Sequence, residues 1–245
     1  MDFAFFQEYD QLSETAARLL HDQIRLKPGL LLCTATGNSP LGLYQRLAAI
    51  MAGERTGSEQ LRIIKLDEWA GIEHGSEGSC ERYLRNHLLT PLNIDDERFI
   101  SFVSDATDPI MECERIRSRL SKEGPIDVAI LGLGKNGHLG FNEPADQLEP
   151  HCHLIPLTDT SKGHHMMNHA RQKPAHGMTL GMKEILSSRM IILVVSGKGK
   201  KEALSTLLSG KITTSCPASF LWLHNRVHCM VLKASSQQND LSKNW

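Results

Sequence analysis

Residues 130–144 read ILGLGKNGHLGFNEP, and this short loop holds an imidazole, an amide and a carboxylate at His138, Asn142 and Glu143. An imidazole titrates near neutrality, so His138 suits proton transfer between the ring and hydroxyl oxygens of a sugar. A neighbouring carboxylate would fix its tautomer and favour its charged form. A loop histidine beside a solvated glutamate has the same spacing, and spacing alone does not separate the two readings. The loop also contains Gly132-x-Gly134-x-x-Gly137 after an apolar run, the outline of a dinucleotide-binding turn. That turn needs a helix opening at its third glycine. Gly140 and Pro144 interrupt any such helix, so the glycines are expected to let backbone pass close to a ligand instead.

Three further segments carry chemistry. Asp67-Glu68 follows LRIIKL, where a partly desolvated carboxylate could act as base toward a carbon-bound proton. Strand alternation puts only one of the pair on the face of Ile64 and Leu66, so the two should differ in role; an acidic turn with a helix cap is the plain alternative. SGKGKKEALS (196–205) sets lysines at the start of a helix, an unfavourable place unless an anion sits there. Lys200 with backbone N–H groups could hold one phosphate, with TGNSP (36–40) as partner loop, although a solvated basic turn has the same composition. His151, Cys152, His153, His164 and His165 lack the spacing of a zinc site, and no metal is expected.

These segments need a frame that brings them together. Leu12, Ala16, Leu19, Leu20 and Ile24 recur at helical spacing up to Lys27-Pro28-Gly29. GLLLCTAT (29–36), LRIIKLDE (61–68), IDVAILGLG (126–134), MIILVVSG (190–197) and VHCMVLKA (227–234) read as strands. Helical patterns lie between them: PLGLYQRLAAIMAG with Ser39 as N-cap, CERYLRNHLLTPL, MECERIRSRLSKEG and KGKKEALSTLLSG. Alternating strands and helices predict an α/β three-layer sandwich with a mostly parallel central sheet, a modified Rossmann-like arrangement over one domain spanning 1–245. In such sheets ligands bind beyond the carboxyl ends of the strands. TGNSP, LDEW, GKNGH and SGKGKK all fall at such ends. PASFLWLH (217–224) reads as a packing wall, and the tail after residue 234 as frayed.

The chain has 245 residues, 40% apolar and 22% charged, with a net charge of −1 and no basic block. That composition argues against nucleic-acid and membrane-surface partners. The six cysteines are scattered without a C-x-x-C pair, as expected of reduced, buried thiols. The first residues lack a signal-peptide pattern, and no apolar run reaches the roughly 20 residues of a membrane helix. A cytoplasmic location is expected. The sequence leaves the oligomeric state open.

Taken together, TGNSP, KLDEW, LGLGKNGHLGFNEP, LTDTS, GMTLGMKEIL and SGKGKKEAL resemble the glucosamine-6-phosphate deaminase/isomerase family, which shares its fold with 6-phosphogluconolactonase. The likeness runs from about residue 29 to 233, and the Gly-x-x-Gly-His-x-x-x-Asn-Glu-Pro loop is its most specific part. KLDEW, GLGKNGHLG and PASFLWLH look most like the enterobacterial galactosamine-6-phosphate branch. The resemblance implies Asp67 as the base acting at C2 and C1, and His138 as the ring-opening group, held and charged by Glu143 with Asn136 beside it. It implies a 6-phosphate held by Thr36, Gly37, Asn38, Ser39 and Lys200, with no metal or redox cofactor. The implied reaction is isomerisation with deamination, galactosamine 6-phosphate giving tagatose 6-phosphate and ammonia, or glucosamine 6-phosphate giving fructose 6-phosphate. A lactonase and a sugar-phosphate-sensing domain are the alternatives; the latter normally carries a helix-turn-helix region, for which no stretch remains.

Three departures from the family pattern stand out. Asn136 replaces an aspartate common beside the histidine. Met167 falls where an arginine of the phosphate site is expected, with Lys162 and Arg171 as nearby substitutes. The positions of the allosteric site carry Asp146, Gln147, His153, Ile155 and Pro156 in place of serines, an arginine and a lysine.

Overall fold

The computed structural model describes residues 1–53, 58–158 and 174–233. The first half runs β1 (Asp2–Phe6), α1 (Tyr9–Leu26), β2 (Leu31–Thr34), α2 (Asn38–Ala52), β3 (Arg62–Lys65), β4 (Asp67–Ala70), α3 (Cys80–Leu84), β5 (Phe99–Ile100) and α4 (Pro109–Glu123). The second runs β6 (Val128–Gly132), β7 (His153–Pro156), β8 (His176–Thr179), α5 (Met182–Leu186), β9 (Met190–Val195), α6 (Lys201–Leu208) and β10 (Val227–Leu232). A π-helical turn, Arg85–Leu89, extends α3, and a 3-10 segment, Pro217–Leu223, precedes β10.

Seven strands form one sheet in the order β1-β10-β9-β6-β2-β3-β5, and each neighbouring pair is parallel. Its central strands are buried along their length, as unalternating apolar runs predict. Alternate residues feed two cores. Leu31, Cys33, Ile64, Leu193 and Val195 pack with α4, α5, α6 and the 3-10 segment. Leu32, Ile63, Val128, Ile192 and Val194 pack with α1, α2 and α3. This is the predicted three-layer sandwich.

From β2 the chain fills the sheet outward through β3 to β5, then returns to β6 on the other side of β2. The crevice left where the winding reverses is the ligand-binding position of open α/β sheets.

Two expectations need correcting. LRIIKLDE is two strands, because β3 ends at Lys65 and β4 starts at Asp67 in a second, antiparallel sheet, β4-β8-β7. Leu66 N–H still reaches Thr34 O at 3.1 Å, but Asp67 pairs with Thr179. The turn follows from β2 ending at Thr34, which leaves nothing in the large sheet for residue 67 to pair with. Helix α2 starts at Asn38 with Gly37 as N-cap at φ +92°, so Ser39 lies inside its first turn and caps nothing. The edge strand β1 gave no clear sequence signal, because its pattern is half-buried throughout with an exposed first residue. The tail beyond residue 233 lies outside the described residues.

Candidate active site

The four polar segments converge on one cavity of about 430 Å³. Ala35 to Ser39 come from the β2–α2 turn, Leu66, Asp67 and Trp69 from the β3–β4 junction, and Gly132 to Lys135 with His138 from the end of β6 and the loop after it. Ser196 to Lys198 and Lys200 come from the β9–α6 turn.

Asp67 is 8% exposed, and its Oδ1 has no hydrogen-bond partner among the described residues. Burial first, then the Glu68 carboxylate, push it up to about 7, against the pull of Lys65 and a Cys80 hydrogen bond. Glu68 is engaged quite differently. Its Oε1 accepts from the Trp69 and Cys80 N–H groups at 2.9 and 3.0 Å. Its Oε2 accepts from Glu81 N–H at 2.9 Å and from Lys65 Nζ at 2.6 Å. Lys65, itself fully buried, also donates to Glu81 Oε2 at 3.3 Å and Phe102 O at 3.1 Å. Glu68 thus fastens the start of α3 to β4, while Asp67 faces the cavity with an oxygen to spare.

His138 Nδ1 lies 3.1 Å from Glu143 Oε1. Asn136 Nδ2 donates to Glu143 Oε2 at 2.7 Å, and Asn136 Oδ1 accepts the His138 backbone N–H at 3.3 Å. Asn136 therefore touches the carboxylate and the loop backbone, clamping Glu143, which is 4% exposed, behind the ring. Thr158 Oγ1 adds a 3.5 Å contact to Glu143 Oε1. Two glycines of this loop also leave room for the site's own side chains. A Cβ on Gly134 would lie 2.2 Å from His138 Cδ2, and one on Gly140 would lie 2.7 Å from Thr179 Oγ1.

At the other end of the cavity the Thr36–Ser39 turn is held by two tyrosines. Tyr83 OH donates to Gly37 O at 2.6 Å; Tyr9 OH sits 2.7 Å from Asn38 O and accepts Gly42 N–H at 2.8 Å. Ser196 Oγ bonds Ser39 Oγ at 3.1 Å, joining the two turns. Thr36 Oγ1 lies 3.6 Å from Cys80 Sγ. The α2 and α6 N-termini, each carrying partial positive charge, both open here. Lys200 is the N-cap residue of α6, and its Nζ donates to the Leu133 carbonyl. Burial, then the Lys135 ammonium, pull it down to about 8.

All of Thr36, Gly37, Asn38, Ser39, Asp67, His138 and Lys200 line the cavity, while Asn136 and Glu143 stand behind His138. Sequence reasoning missed Tyr9 and Tyr83, which reach the turn from distant helices, and Trp69, Cys80 and Phe141, whose apolar character reads as core. Trp69 and Phe141 pack at 4.7 Å between ring centroids, tilted by 53°, in the small-sheet core. Met167, Lys162, Arg171, His164 and His165 lie outside the described residues. His151 pairs with Glu184 at 2.9 Å, and His153 Nδ1 lies 2.7 Å from His151 O.

The sequence profile of the family described as glucosamine-6-phosphate isomerases/6-phosphogluconolactonase matches residues 7–230, and so takes in α1 as well as the motifs. An Escherichia coli (strain K12) protein named "Putative deaminase AgaI" is 40% identical over 225 residues, 92% of this chain and 89% of its own. A glucosamine-6-phosphate deaminase of Clostridium botulinum (strain Kyoto / Type A2) is 33% identical over 236 residues, 95% of this chain and 96% of its own. Among solved structures, a monomeric glucosamine-6-phosphate deaminase superposes with a TM-score of 0.91 at 32% identity, covering 97% of this chain and all of that one (100%). The 6-phosphogluconolactonase of Trypanosoma brucei, at 20% identity and a TM-score of 0.75 over 94% of this chain and 95% of its own, shares the fold.

Proposed function

The chain belongs to the glucosamine-6-phosphate isomerase/6-phosphogluconolactonase family, and on that footing we propose that it isomerises and deaminates a hexosamine 6-phosphate. The observation that carries this reading is Asp67: a buried carboxylate facing the cavity, with an unpartnered oxygen and a proton affinity raised to about 7. Such a group suits abstraction of a carbon-bound proton near neutral pH. A lactonase has no use for it.

The steps follow from the geometry. The phosphate sits between the α2 and α6 N-termini with Lys200, and its binding orients the sugar's C1–C2 unit between Asp67 and His138. His138 moves a proton from the C1 hydroxyl to the ring oxygen, opening the ring to the aldehyde. Glu143 stabilises the imidazolium, and Asn136 keeps that carboxylate in place. Asp67 takes the proton from C2 while the substrate's ammonium gives one to the C1 oxygen, leaving an enolamine, and Asp67 then returns its proton to C1, which gives a protonated imine at C2. Water adds at C2 and ammonia leaves, producing the 2-keto sugar phosphate. Neither electrons nor a cofactor are exchanged.

For the sugar we propose galactosamine 6-phosphate, giving tagatose 6-phosphate and ammonia. Support comes from KLDEW, GLGKNGHLG and PASFLWLH, which look most like the galactosamine branch. The 33% identity to a named glucosamine-6-phosphate deaminase favours glucosamine 6-phosphate as the second reading. The epimers differ at the C4 hydroxyl, and a site built for one leaves a buried polar group unmet with the other, at about 1–3 kcal/mol. A coupled ammonia assay giving kcat/KM for both decides the matter. A preference of tenfold or more for galactosamine 6-phosphate is expected, and the reverse preference overturns the choice of sugar. Hydrolysis of 6-phosphogluconolactone without ammonia release from either amino sugar overturns the reaction.

A further inference from the structure

Two ammonium groups share the anion end of the cavity. Lys135 projects from the loop after β6, and its stem runs along the backbone next to Lys200. A Cβ on Gly199 would lie 3.5 Å from Lys135 Cδ and 3.6 Å from Cε. Lys135, Lys198 and Lys200 all line the cavity. None of the carboxylates among the described residues forms an ion pair with Lys135 or Lys200; the one recorded bond of Lys200 Nζ is to a carbonyl. Like charges held side by side repel, and burial of Lys200 sharpens the repulsion. The arrangement becomes favourable when an anion lies between them. A phosphate monoester near neutral pH carries close to two negative charges, because its second ionisation falls near pH 6. Lys200 can offset one of them.

We propose that Lys135 is a substrate-binding residue, forming with Lys200 a two-ammonium clamp on the dianionic phosphate. The proposal rests on the hexosamine 6-phosphate reading and extends it by naming the second cation of the phosphate site. Lys135 is solvent-exposed and has no hydrogen bond or ion pair among the described residues. The Lys135 stem passes the Gly199 backbone, at φ +81°, at ordinary contact distance on its way toward Lys200.

The test uses the intact chain as wild type, Lys135→Met and Lys135→Arg. Calorimetry at pH 7 with glucitol 6-phosphate, an open-chain sugar phosphate that cannot react, reads phosphate affinity apart from catalysis. Lys135→Met should weaken binding about tenfold, the loss of one charge-assisted contact, and Lys135→Arg by less than threefold. With the reacting substrate, KM should rise about tenfold in Lys135→Met while kcat stays within twofold. Wild-type affinity should fall as pH rises through about 8, where Lys200 loses its proton. In Lys135→Met that fall should move to higher pH, because the repelling neighbour is gone. Unchanged affinity in Lys135→Met, or a lower kcat at constant KM, overturns the clamp. If wild type releases no ammonia from any hexosamine 6-phosphate but shows the Lys135-dependent affinity, the clamp stands and the functional reading falls. Ammonia release with an affinity indifferent to Lys135 means the converse.

Discussion

At Asp67 the fold holds a carboxylate in surroundings that oppose its charge. Burial and Glu68 raise its proton affinity above the ordinary 3.8 to about 7, so the folded protein binds this proton more tightly than the unfolded chain does. The direction for stability follows: the carboxyl is least costly below pH 4, and stability is lost as pH rises through about 7. Asp67→Asn should therefore melt higher than wild type at pH 8, by an amount on the order of 1–4 kcal/mol, and the gain should shrink as pH falls from 7 to 4. The same substitution should cut solvent-proton exchange at C2 by about 10²–10⁴-fold while substrate binding stays measurable. Wild-type kcat/KM should decline on the acid side of pH 7 as the base takes up its proton. Proton exchange at the wild-type rate in Asp67→Asn would remove Asp67 from the mechanism.

The β3–β4 junction sets Asp67 at the start of β4, where strand alternation turns Glu68 to the opposite face, and buried charge holds Glu68 there. Lys65 answers both Glu68 and Glu81. Burial works against ionised Glu81, but Lys65, the Ser101 hydroxyl and Arg85 prevail and keep it below its usual range. Lys65→Met strands the Glu68 carboxylate, so urea unfolding should report a loss of about 3–5 kcal/mol; a loss below about 1 kcal/mol would mean that the network relaxes around the gap. The loop after β6 makes a similar demand of one glycine. A methyl at Gly134 would overlap the imidazole of His138, so Gly134→Ala should displace the ring and lower kcat about 10²-fold. Its melting temperature should change little, since the displaced ring is partly exposed. An unchanged kcat would show that ring placement is not what this glycine protects.

Across the whole molecule, the winding of the large sheet brings distant turns to one crevice, while the small sheet carries three of the positions that the family resemblance aligns with an allosteric site. His153, Ile155 and Pro156 lie in β7, paired to β8. An activator phosphate needs cationic or N–H partners, and isoleucine brings no charge while proline has no N–H to donate. Velocity should be hyperbolic in substrate and indifferent to N-acetylglucosamine 6-phosphate. A sigmoidal curve made hyperbolic by that effector would contradict this.

The sequence by itself determined the layer order and the four turns of the site. Helical spacing and continuous apolar runs are local patterns, and a parallel sheet obliges its strand ends to meet at one edge. It also singled out His138 and Glu143 as a candidate pair, because one short loop carries both, but not whether the two side chains meet. Only the tertiary structure decided which carboxylate of the Asp67-Glu68 pair is free. That choice depends on where β2 ends, on Thr179 as the partner of Asp67, and on α3 claiming Glu68, all contacts between residues far apart in the chain. The same holds for Tyr9 and Tyr83 behind the phosphate turn and for Lys135 beside Lys200. Their neighbours are set by packing, which no window of sequence contains.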